Sequence, residues 1–205
     1  MSTDPAAVFA VAADSFVDLV ARLPVAALDG PGLGEWDLRA LVGHTSRSLT
    51  TVSTYLRTTA ARRDVTSAAE YYLTVTPEAL GIDPAAVAER GRQAGRELGE
   101  DPAAAVTRLA ATAVADVDGA GDPLIEVIGG LGIRLSDYLP TRTFELVVHG
   151  LDIGRAAGVD YAPPPEVFVA AVRLAAEIAV ISGRGAQVLL ALTGRAALPP
   201  AFSVV

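Results

Sequence analysis

The chain has 205 residues, a formal net charge of -8, 51% apolar residues and no cysteine. That length and apolar content suit one large hydrophobic core, or a main domain with a small appendage, and exclude a disordered chain. The acidity, with no cluster of Lys or Arg, argues against a nucleic-acid or anionic-membrane partner. The lack of Cys removes disulfides, thiolate nucleophiles and Cys-based zinc sites.

The segment MSTDPAAV has no basic stretch ahead of an apolar run, so no export signal is expected. Charged residues or Gly interrupt every apolar run before it could span a bilayer. A cytoplasmic protein is expected. Asp4-Pro5 pairs a capping carboxylate with a proline suited to a first helical turn. Val8, Val11, Phe16, Leu19, Val20 and Leu23 then recur at helical spacing up to Pro24. A Gly/Pro/Asp loop over 28–34 leads to Trp36-Asp37, and a second helix is expected over 38–57 with Asp37 as its cap.

Residues 61–83 are less regular, and the run YYLTV reads as a short strand or part of a loop. Asp83-Pro84 and Asp101-Pro102 start two further helices, reaching about Leu98 and Val117. Gly129, Gly130 and Gly132 mark 124–139 as a pocket-lining loop or a bent element. A helix is expected over 141–157, ended by Gly158, and another over 166–181 after the stiff Pro163–Pro165 linker. A short segment follows over 186–192, and the tail TGRAALPPAFSVV is expected as an extended strand laid against the body. The low aromatic content, 5%, favours helix-on-helix packing. The resulting architecture is all-α, with four main antiparallel helices and a longer connection between the second and third.

There are only two histidines, His44 and His149. At about 100° per residue, Arg142, Glu145, His149 and Asp152 fall on one narrow helical stripe. Glu145 and His149 are one turn apart, so their heads can reach one ion. His44 sits on the flank of the apolar face of the second helix, and packing those two helices together would complete a His, Glu, His ligand set for a divalent metal. Zinc suits two imidazoles and one carboxylate best, while nickel, iron and manganese use the same ligands. Asp152 is a candidate acceptor for a ligand N–H. Arg142 is a candidate partner for Glu145 or for an anionic substrate, and helical phase favours it over Arg155. Plainer roles fit the same spacing. His44 can be a hydrogen-bonded core residue, Glu145 and His149 a helix-stabilising pair, Arg142 and Asp152 an ion pair, Trp36 a staple for its loop, and Gly150 a close-packing position.

Three stretches carry a family resemblance: GEWDLRALVGHTSRSL, RTFELVVHGLDIGRAAG and LLALTGRAALP. Together they resemble the mycothiol-dependent maleylpyruvate isomerase family, a branch of the DinB-like metal-binding helical bundles. The resemblance implies a DinB-like four-helix bundle over 1–160 and a reduced C-terminal helical or extended appendage over 161–205, packed on the bundle. It implies His44, Glu145 and His149 as metal ligands and carries over Arg142 and Asp152 as candidate catalytic residues. It also implies mycothiol, a low-molecular-weight thiol, as cosubstrate in S-transfer or thiol-assisted isomerisation of a small carboxylate or electrophilic molecule. A non-catalytic metal-binding protein is the alternative. Monomer and homodimer both stay open.

Overall fold

The computed structural model describes residues 4–205, so Met1–Thr3 of the segment read for an export signal lie outside the described residues. The helices are α1 Pro5–Ala21, α2 Leu38–Tyr55, α3 Ala68–Thr74, α4 Pro84–Glu97, α5 Pro102–Asp118, α6 Leu135–Ala157, α7 Pro165–Ile181 and α8 Gly185–Leu192. Strands β1 Leu124–Val127 and β2 Leu131–Arg134 precede α6. Four helices begin as the Asp residues ahead of them require. The carboxylates of Asp4, Asp37, Asp83 and Asp101 accept the backbone N–H groups of Ala6, Ala40, Ala85 and Ala104. Each such cap stabilises its helix by about 1 kcal/mol.

α1 and α2 both pack against α5 and α6, which puts α1 and α2 at opposite corners of a four-helix bundle. Phe9, Phe16 and Leu19 of α1 are buried with Leu41, Leu49 and Val52 of α2, Val106 of α5 and Leu139, Leu146 and Ile153 of α6. The long connection between α2 and α5 carries α3 and α4. α4 lies against the outside of α2, where Gly43 and Gly95 let the two backbones touch. A Cβ on Gly43 would overlap the Gly95 backbone.

Four expectations are corrected. YYLTV is neither strand nor loop but lies in and just beyond α3. Ser67 accepts the Glu70 backbone N–H, and the Glu70 carboxylate accepts from the Thr66 N–H and hydroxyl, so reciprocal capping starts a helix that β propensity argued against. The glycine-rich stretch over 124–134 is an antiparallel hairpin, with Val127 opposite Leu131 and Gly129 and Gly130 turning it at φ of 81° and 72°. α6 follows at once, starting at Leu135 rather than Thr141, and runs through Pro140. That proline leaves the Ser136 carbonyl without its helical donor, and Ser136 is half-buried at the lining of the cavity beside α7, where water can serve instead. The tail over 193–205 forms no strand. Pro199 and Pro200 offer no N–H to a ladder, and the segment is held instead by the Arg184 guanidinium donating to the Ser203 carbonyl at 2.7 Å. Among the described residues, no helix is long and apolar enough to cross a membrane.

Candidate metal centre

α2 supplies His44 and α6 supplies Glu145 and His149. One ligand atom from each lies within 4.8 Å of the others, the spread that one ion among three ligands requires. His149 Nε2 is 3.3 Å from Glu145 Oε2, and the two imidazole rings are 5.1 Å apart with planes at 81°. The helical stripe therefore meets the second helix as its phase suggested.

Each of the three side chains is held by a neighbour. The Tyr72 hydroxyl, on α3, donates to Glu145 Oε1 at 2.7 Å and lies 3.1 Å from the Thr141 carbonyl. That commits one carboxylate oxygen and leaves Oε2 toward the imidazoles. His149 Nδ1 is 3.3 Å from Asp152 Oδ2, which turns Nε2 toward the cluster. The His44 ring lies 4.4 Å from the Trp36 indole, whose Nε1 donates to the Ala88 carbonyl at 2.9 Å. Gly91 of α4 lies directly against that indole, where a Cβ would overlap it. Trp36 thus packs a cluster histidine as well as its own loop.

Protonation follows from these contacts. Burial lowers the His44 pKa to about 4, with the charges of His149 and Arg47 acting in the same direction, so it presents a neutral imidazole. Burial also opposes charge on His149, but its bonds to Asp152 and Glu145 outweigh that and raise it to about 9. For Glu145 burial favours the neutral acid, yet His149, Arg142 and Tyr72 prevail and hold it at about 2. The protonated His149 thus faces a carboxylate at each ring nitrogen, and a cation in the cluster would replace the proton on Nε2. Two imidazole nitrogens and one fixed carboxylate oxygen form a donor set suited to a divalent transition metal.

Arg142 and Asp152 do not pair with each other; Asp152 is engaged with His149. The Arg142 guanidinium lies 4.9 Å over the Tyr138 ring and 5.5 Å over that of Tyr71, and its Nε donates to Thr141 Oγ1 at 3.0 Å. Among the described residues it forms no ion pair. Arg155 is exposed on the far side of the stripe's end. Gly150 is a close-packing position, since a Cβ there would overlap the Tyr161 ring. Sequence reasoning missed Tyr71, Tyr72 and Tyr138 altogether. Cavities of about 360, 230 and 500 Å³ open beside α7 and α1, between α2, α4 and α5, and between α7 and α8, and none of these is lined by a cluster residue.

A helical bundle that gathers two histidines and a glutamate from facing helices defines a DinB-like protein with a cluster able to hold a divalent metal. The family model described as mycothiol maleylpyruvate isomerase N-terminal domain matches residues 9–154. The chain belongs to that family. No curated protein and no solved structure matches it.

Proposed function

We propose that the protein is a metal-dependent enzyme of the mycothiol-dependent type, carrying out S-transfer or thiol-assisted isomerisation on a small carboxylate or electrophilic substrate. The observation that carries this reading is the His44, Glu145, His149 cluster with its atoms within 4.8 Å, set in a chain of the mycothiol maleylpyruvate isomerase N-terminal domain family. The metal is zinc in this proposal. Zinc favours a tetrahedral set of imidazole and carboxylate, and three protein ligands leave its fourth position open.

Such an ion supplies one thing, a position where an incoming thiol is held as its thiolate. The chain has no cysteine of its own, so the sulfur is external. Asp152 accepts from His149 Nδ1–H and so keeps the Nε2 lone pair turned inward. Tyr72 holds one Glu145 oxygen, so the carboxylate binds through the other. Arg142, charged and without a carboxylate partner, is the group that anchors an anionic substrate beside the cluster.

The test is elemental analysis of purified protein together with turnover of a maleyl-type electrophile with and without added thiol. One divalent ion per chain and thiol-dependent turnover, both lost in His149→Ala, are expected; full activity in metal-stripped protein would end the proposal. A second reading, a non-catalytic metal-binding protein, draws support from the cavities lying away from the cluster. One ion per chain with no thiol-dependent chemistry would select it.

A further inference from the structure

The outer face of α7 and α8 is apolar in a way the metal centre does not explain. Val172 is 57% exposed, Val180 66%, Leu189 64% and Leu192 72%, and α8 contributes no buried residue. Exposed apolar side chains in one contiguous patch mark an interaction surface. Both helices lie beyond the segment that the family model matches.

The face has a shape and a charge pattern. At about 100° per residue, Val169, Val172, Ala176 and Val180 form one stripe along α7. Along the C-terminal half of that stripe, α8 raises a wall, and the groove between them is about 500 Å³ and lined by Ala176, Val180, Val188, Leu189 and Leu192. The N-terminal half has no such wall, and Val169 and Val172 stand free there. Glu166, Arg173 and Glu177 all project along one flank of the stripe.

We propose that this face binds the same face of a second copy of the chain, with the two α7 helices antiparallel about a two-fold axis beside Leu174 and Ala175. That axis sets Val172 of each chain opposite Ala176 of the other, and Val169 opposite Val180. The free valines of each copy then enter the groove of the other. Antiparallel helices bring like flanks together, so Arg173 meets Glu177 across the axis, and symmetry repeats the pair. Glu166 comes level with Arg184, at the start of α8. Knob and groove on one surface, with opposite charges equidistant from one axis, make the face complementary to itself. The net charge of -8 would otherwise drive two copies apart and weighs against an anionic lipid surface.

Sedimentation velocity of the full chain from about one to one hundred micromolar tests the proposal. A dimer is expected, reduced to a monomer in Val172→Glu and weakened about tenfold in Arg173→Glu, where like charges face each other twice. The double variant Arg173→Glu/Glu177→Arg restores the pair and the dimer. These side chains are at the surface, so the circular dichroism spectra of all three variants match the parent, while the melt of Val172→Glu falls by the stabilisation that the dimer supplied. A parent that is monomeric across the range overturns the proposal. So does a dimer indifferent to both single changes, or a monomer that floats with zwitterionic vesicles.

Discussion

The indole of Trp36 lies 4.4 Å from the imidazole of His44, tilted by 34°, and bridges that histidine to the backbone of α4. His149 is oriented by a carboxylate; His44 is oriented by packing. The two imidazoles of the cluster are thus fixed by different physical means, one through an N–H bond and one through an aromatic wall packed against Gly91.

Trp36 is the only tryptophan, so its emission reports on the metal centre directly. Titrating metal-free protein with Co²⁺ or Ni²⁺, whose partly filled d shells quench nearby fluorophores, is expected to dim the emission to a plateau at one ion per chain. Zn²⁺ added first blocks the quenching. In Trp36→Phe the ion still binds, by calorimetry, but about tenfold more weakly, because His44 loses its wall. Emission unchanged by saturating Co²⁺ would show that no ion binds beside His44.

Tyr72→Phe removes the phenol that engages Glu145 Oε1 at 2.7 Å. Metal affinity is expected to fall by about 10–100-fold, with a stability loss of about 1–2 kcal/mol in metal-free protein. X-ray absorption of the zinc-loaded variant then reports an added oxygen ligand, because both Glu145 oxygens are free to bind. An unchanged affinity and ligand number would remove Tyr72 from the centre's support.

The metal-free protein carries a pH signature of the cluster. His149 is raised to about 9, so the stability it lends is complete below its unfolded value near 6.5 and is lost as pH rises through 9. Glu145 is depressed to about 2, so its contribution is complete above about 4.5 and is lost as pH falls toward 2. His44, lowered to about 4, resists protonation and adds a loss below about 6.5 as pH falls. Denaturant melts in chelator are expected to peak near pH 6.5 and to fall on the order of 3 kcal/mol by pH 9.5. In His149→Gln the alkaline decline disappears. Zinc affinity of the parent rises over the same interval, because binding releases the His149 proton.

What was legible in the sequence was local. The Asp residues at 4, 37, 83 and 101 mark helix starts because a cap and its helix are neighbours in the chain. The Glu145 and His149 pairing follows from one turn of helix. His44 was reachable only through the assumption that its helix faces the stripe. Tyr72 left no signal, since it acts on Glu145 from 73 residues away and is brought there by α3; Trp36, just ahead of the helix that carries His44, was legible as a loop staple but not as the wall of that imidazole. α3 in particular is too short for its periodicity to overcome the β preference of two adjacent tyrosines, and the Thr66, Ser67 and Glu70 caps that start it are a contextual signal. The tail misled in the other direction, because apolar residues near the end suggested a strand that two consecutive prolines prevent.

Arg142 separates a functional from a structural role by the sign of its stability effect. Its guanidinium is half-buried against Tyr138 and Tyr71 and forms no ion pair among the described residues. Burying such a charge costs stability, and its cation–π contacts together with its attraction to Glu145 return only part of it. A side chain kept for folding would have its partner in the chain; one kept for a substrate meets it only on binding. Arg142→Met preserves the stem and the fit against the tyrosines, so the variant is expected to be as stable as the parent or more so, with metal content unchanged. The KM for a carboxylate substrate is expected to rise about 10–100-fold, while an uncharged electrophile is handled as before. A variant that unfolds readily yet keeps the parent KM would make Arg142 a packing residue, and the anionic end of the substrate would have to be sought elsewhere on the surface.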